Sequence, residues 1–133
     1  MTVQDTLVDV EVEGPEDVDW SDRLFVPLNS EPYWWFADGS KTWELRGVND
    51  QFNERKVRVG RAVELRRGYS TDDSLWGVIT GVRFFESVDE IIETFEYEKV
   101  RPDASEEEFR ESVADLLDGY DSFIAFGVEI YER

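Results

Sequence analysis

A chain of 133 residues is the size of one ordinary domain, long enough for a single hydrophobic core. Nine Phe, five Trp and five Tyr set it apart from a disordered acidic tail despite a formal net charge of −18, and neither a membrane-spanning apolar run nor a basic, apolar secretory leader is present, which points to the cytoplasm and away from a membrane. With no Cys and no His, disulfides, thiolate chemistry and Cys/His metal sites are excluded, so no metal or cofactor is expected and any catalysis falls to Lys, Glu, Asp, Tyr, Ser or Thr.

Residues 1–22 read as an acidic N-terminal extension, either an edge strand, since Leu7 to Val12 alternates ahead of Gly14 and Pro15, or a disordered, solvated tail; the domain itself is expected over 23–133. Leu24 to Leu28 is a short apolar run that Pro27 confines to an edge or first strand. A short helix follows over about Glu31 to Asp38, with Ser30 as N-cap, Pro32 in the first turn and Gly39 in the left-handed position after the last turn. Successive helical residues turn by about 100°, so Tyr33, Trp34, Trp35 and Phe36 cannot all face one core. They either cover the core or offer a stacking platform to a base, with Tyr33 and Trp34 as the candidates.

After Gly39 the period changes to two, which puts Thr42, Glu44 and Arg46 on one face of a strand and Trp43 and Leu45 on the other. Gly47 to Asn53 is a loop, and Arg55 to Arg58 and Arg61 to Arg66 read as strands either side of Gly60, with Val63 and Leu65 inward and Glu64 and Arg66 outward. Leu75 to Phe85 is a longer strand in which Gly77 and Gly81 suit a bulge, a corner or a close backbone approach. Ser87 with Glu90 and Ser105 with Glu108 are capping boxes that open two helices. Their apolar stripes, Val88, Ile91, Ile92 and Phe95 in one and Phe109, Val113, Leu116 and Leu117 in the other, face the core, and Gly119 closes the second. Phe123 to Tyr131 is a last strand with Ile124, Phe126, Val128 and Ile130 on one face, and the whole reads as α+β.

Three Lys against eleven Arg on an acidic coat suit a surface adapted to a high-salt cytoplasm, in the halophilic manner; the competing reading is an acidic surface that binds a partner or mimics nucleic acid. The charge is unevenly spread. Residues 1–40 carry ten acids and one base and residues 84–133 sixteen acids and four bases, whereas residues 41–83 carry six acids and nine bases. Lys41, Arg46, Arg55, Lys56, Arg58, Arg61, Arg66, Arg67 and Arg83 are thus either the footprint of a phosphate-bearing ligand or partners for the acidic flanks.

Gly39, Lys41, Glu44 and Arg46 form the pattern Gly-x-Lys-x-x-Glu-x-Arg. Taken alone it describes an exposed ion-pair cluster worth at most about 1 kcal/mol. The pattern, preceded by an aromatic helix and followed by a β-rich half, resembles the signature of the ASCH domains of the PUA-like superfamily, and the likeness covers about Leu24 to Tyr131. That resemblance implies a small β-barrel with helices, one before the signature strand and two before the last strand, and a cleft between the first helix and the barrel. It implies a module that binds RNA, a nucleoside or a nucleotide. Arg46 would offer its planar fork to a phosphate or base edge, Glu44 would orient the two cations or accept from an exocyclic amine, and Lys41 would supply charge, or act as a base if burial depresses its pKa. Tyr33 or Trp34 would stack on a base, and the Arg-rich middle strands, Arg66 included, would hold the backbone.

One branch of the family resembles small amidohydrolases that deacylate acetylcytidine, and hydrolysis of RNA is also associated with such domains. In that branch the apparatus is the signature Lys, a Thr three residues later and a Glu in a later helical segment. Lys41 matches, but Glu44 stands where the Thr belongs, Thr42 lies roughly 6 to 7 Å back along the strand, and Glu96 or Glu98 matches by position alone. Hydrolysis here would need Glu44 to activate water as a general base. A third class is a protein-interaction module whose acidic run Glu106 to Glu108 meets a basic partner.

Overall fold

The structure, a computed structural model, describes residues 18–69, 72–116 and 118–131. Strands β1 (Leu24–Leu28), β2 (Trp43–Gly47), β3 (Ala62–Arg67), β4 (Ser74–Phe85) and β5 (Phe123–Tyr131) form one mixed sheet in the order β1-β3-β4-β5-β2, curled into a half-barrel. The β1–β3 pair is parallel and the other three pairs are antiparallel. Helix α1 (Ser30–Asp38) precedes β2, and α2 (Val88–Thr94) and α3 (Glu106–Leu116) lie between β4 and β5, which is the α+β arrangement expected. Among the described residues β1 and β2 are the two sheet edges, so Pro27, which has no N–H to give, sits where a missing ladder donor is tolerated.

β5 is the spine because its alternation is apolar on both faces. Ile124, Phe126 and Val128 enter one core with Val26, Val63, Leu65 and Ile79 of the sheet and Tyr33 and Phe36 of α1. Phe123 and Ala125 point the other way, into a second core closed by Ile91 and Phe95 of α2 and its end, by Phe109 and Val113 of α3, and by Leu45 and Phe85. The single core that the chain length allows is therefore divided by the sheet into two layers. A bulge between Ile79 and Gly81 lets β4 serve both, as its glycines suggest. Val18 and Trp20 pack beside Ala62, Val78 and Tyr131 at the far end of the sheet.

Several local expectations need correction. Asn29, not Ser30, occupies the N-cap of α1, and its side chain makes no capping bond; Gly39 does take the left-handed position, at φ 86°. Arg55 to Arg58 is a turn and not a strand, because Asn53 Oδ1 accepts from the backbone N–H of Arg55 and Lys56 at 3.0 and 3.1 Å and folds the chain back. Asn49 does the same for Gln51 and Phe52, and the paired turns bury Phe52 and Val57. Glu64, expected outward, is only 4 % exposed, held between Arg23 and Arg66. The Ser105–Glu108 box closes reciprocally, whereas at α2 Ser87 accepts from Glu90 N–H and the Glu90 carboxylate reaches Glu86 N–H instead of Ser87. Leu7 to Val12, Leu117 and the Leu116 side chain lie outside the described residues.

Phe126 is fully buried and stacks on Phe52 at 6.1 Å between ring centroids. Phe126→Ala should lower unfolding free energy by about 3 to 5 kcal/mol in a denaturant titration. Phe84→Ala, at a site 36 % exposed, should cost well under half of that.

Candidate ligand-binding cleft

The turn after α1 delivers Lys41 onto the face of β2 that carries Glu44 and Arg46. Lys41 N–H donates to Trp35 C=O at 3.1 Å, Thr42 N–H to Lys99 C=O at 2.9 Å, and Val128 N–H to Thr42 C=O at 2.9 Å, so the segment is fixed against three elements. The side chains then converge. Lys41 Nζ donates to Val100 C=O at 2.6 Å and lies 3.2 Å from Glu44 Oε1. The other carboxylate oxygen, Oε2, accepts from Arg46 Nε at 2.8 Å and Nη2 at 2.6 Å. Nη2 also donates to Pro27 C=O at 2.8 Å, while the guanidinium covers the Phe52 ring at 4.7 Å.

Lys41 and Glu44 are only 3 % and 7 % exposed, so an exposed ion pair does not describe the cluster. Burial pushes the Glu44 carboxyl up, but Arg46 and Lys41 together outweigh it and hold the group below the usual glutamate range. Burial pushes the Lys41 ammonium down, and Glu44 offsets only part of that shift, since Arg46 and Arg101 repel it. Glu44 is thereby an ionised organiser with both oxygens engaged. Lys41 is the softer of the two cations.

Arg46 and Glu44 form the floor of a cleft of about 1010 Å³ between α1, β2 and the α3 side of the molecule. Trp35, Phe52, Tyr69 and Tyr120 supply its aromatic walls, with Pro27 at the sheet edge and Arg101 opposite. Tyr120 is seated directly on Gly47, where a Cβ would fall 2.2 Å from its ring, so the glycine is what lets this wall stand. Among the described residues no cluster of Asp, Glu, His or Cys is placed to hold a metal.

The cleft gathers Lys41, Glu44 and Arg46 but not the other residues expected of it. Tyr33 is 4 % exposed in the core beneath α1, and Trp34, 51 % exposed, turns to solvent; Trp35 is the helix aromatic that lines the cleft. Arg66 lies over Phe25 and pairs with Glu64, outside the cleft. Thr42 borders a separate small hollow behind Lys41, exposed Glu98 lines neither, and Glu96 pairs with Lys99 at 3.1 Å. Of the basic middle third, Arg58 and Arg61 share Asp22, Arg66 takes Glu64 and Arg67 takes Asp73, so ion pairing accounts for these four. Sequence reasoning passed over Trp35 and Arg101. Six residues before Lys41, Trp35 is one position past the candidates, and Arg101 is one of four bases in an acidic third.

Removing one partner of this cluster leaves buried charge uncompensated. Glu44→Gln should destabilise the fold by about 3 to 5 kcal/mol. The depressed Glu44 pKa means its stabilisation is complete above the unfolded value of about 4.3 and is lost as pH falls through the lower folded value. An acid titration of stability should therefore show a limb below about pH 4.3 that Glu44→Gln diminishes.

Neither a protein-family model nor a curated protein sequence matches the chain. Solved structures do. Hypothetical protein PH0355 is similar over 80 % of this chain and 96 % of its own, at TM-score 0.65 and 22 % identity. Protein PF0455 from Pyrococcus furiosus is similar over 84 % of this chain and 99 % of its own, at TM-score 0.62 and 20 % identity. A mutant of the ASCH protein from Zymomonas mobilis is similar over 81 % of this chain and 69 % of its own, at TM-score 0.58 and 14 % identity. The half-barrel with one helix ahead of the signature strand and two ahead of the last strand is thus the fold of ASCH domain proteins, and it is the fold of this chain.

Proposed function

We propose that the protein is a binding module for RNA or a nucleotide-like ligand, which seats one base or phosphate in the cleft between α1 and β2. The observation that carries this reading is the buried Lys41–Glu44–Arg46 cluster at the floor of an aromatic-walled cleft. Aromatic walls stack on any base face, and fixed cations beneath them suit the anionic or carbonyl edge of a nucleotide. Trp35 is the stacking residue in this reading, and Arg46, positioned by Glu44, presents its remaining N–H groups to the ligand.

Binding is favoured over hydrolysis by two features of the same geometry. Both Glu44 oxygens are engaged and its carboxyl is held low, which makes it a poor general base. The hydroxyl that a Lys–Thr arrangement requires belongs to Thr42, which borders the other hollow. The acidic run at Glu106 to Glu108 is used at home, by α3's own cap and dipole, which weakens the case for a basic protein partner.

Titration with short RNA oligomers, followed by tryptophan fluorescence, tests the reading. Trp35→Ala should weaken binding by about 1 to 3 kcal/mol without loss of fold. No RNA binding, or equal affinity in wild type and Trp35→Ala, would overturn it. Incubation with acetylcytidine should release no cytidine.

A further inference from the structure

The cleft holds a cation that the signature does not include. Arg101 follows directly on Val100, whose carbonyl receives the Lys41 ammonium at 2.6 Å, and its guanidinium carbon stands 6.0 Å from the centre of the Trp35 ring. Its contacts leave it only partly satisfied. Nη1 donates to Ser112 Oγ, Nη2 lies a long 3.8 Å from Asp103 Oδ1, and Nε is buried with no hydrogen-bond partner. A buried guanidinium N–H without an acceptor costs about 1 to 3 kcal/mol or more, so a group that supplies an acceptor there is favoured. Lys41 and Arg46 already divide one carboxylate between them, and the other acids of the cleft, Glu31 and Asp115, are exposed residues. Three cations, Lys41, Arg46 and Arg101, thus line the cleft with three acids, of which only Glu44 is buried, inside a protein of net charge −18.

We infer that Arg101 is the phosphate-holding residue of the cleft, and that the ligand is a phosphate-bearing nucleotide or strand and not a neutral nucleoside. This rests on the reading of the cleft given above and adds the ligand's charge to it. A phosphate attached to a base laid on Trp35 would come within reach of Arg101, whose side chain is partly exposed and whose Nη2 keeps only the long contact with Asp103. Fluorescence or calorimetric titration of the full chain with the four ribonucleosides, their 5′-monophosphates and a short oligoribonucleotide separates the possibilities. At least one monophosphate should bind about tenfold or more tighter than its nucleoside. Arg101→Met should abolish that preference, and Arg101→Lys should keep part of it.

Equal binding of nucleoside and monophosphate by the wild type, or an undiminished preference in Arg101→Met, overturns the assignment of Arg101 and leaves the cleft reading intact. Absence of binding by nucleosides, monophosphates and oligomer alike overturns both. Should Arg101→Met fail to fold, a KCl series on the wild type decides: monophosphate affinity must fall with salt while nucleoside affinity does not, and a flat monophosphate curve overturns the inference. Monophosphate binding without oligomer binding identifies a free nucleotide as the source of the phosphate, and oligomer binding tighter than that of the monophosphate identifies a strand; oligomer binding with no preference for monophosphate over nucleoside overturns the role of Arg101.

Discussion

A carboxylate sealed between two cations fixes the geometry of everything around it. Desolvating Glu44 costs several kcal/mol, and that cost is met only if each oxygen has its own donor in place. One donor, Lys41, is positioned by the end of α1 and by the Val100 carbonyl. The other, Arg46, is positioned by β2 and by the Pro27 carbonyl of β1. Because β1 and β2 are opposite edges of the sheet, the Arg46 guanidinium ties together two strands that share no ladder. The same few atoms hold the half-barrel's mouth in shape and form the floor of its cleft.

The charge pattern acquires meaning once the pairs are known. The exterior is acidic, and the basic middle third does not form a broad positive field, since Arg58, Arg61, Arg66 and Arg67 answer nearby carboxylates. A nucleic-acid ligand would meet repulsion at a distance and attraction only inside the cleft. Sheltered cations suit such a protein, because salt screens exposed charges far more than buried ones.

Much of this was legible from patterns that one interaction determines. Residues 123–131 read as a strand because alternate residues are apolar throughout, and the final sheet uses both faces of it. The Ser105–Glu108 box and the αL position of Gly39 were legible for the same reason, each being set by backbone geometry within a few residues. What was not legible depended on contacts between distant segments. Arg55 to Arg58 has strand-like residues but is bent by the Asn53 side chain, and Glu64 looks like a surface residue until Arg23, 41 positions away, is brought against it. The signature placed three cleft residues correctly beside one another, while the choice of Trp35 over its neighbours depends on the rotation of α1 about its axis, which four consecutive aromatics cannot specify.

The sheet order carries a consequence for how the molecule comes into being. Among the described residues β2 has one neighbour in the ladder, β5, with Trp43 facing Gly127 and Gly47 facing Phe123, so the strand carrying Glu44 and Arg46 has no ladder partner until residues far along the chain are in place. Contacts of such long sequence separation are slow to form, because closing the intervening loop must come first. A nascent chain that has not yet emitted Phe123 already holds every residue of the signature yet has nowhere to dock it. The floor of the cleft thus closes only when two strands far apart in the chain have paired.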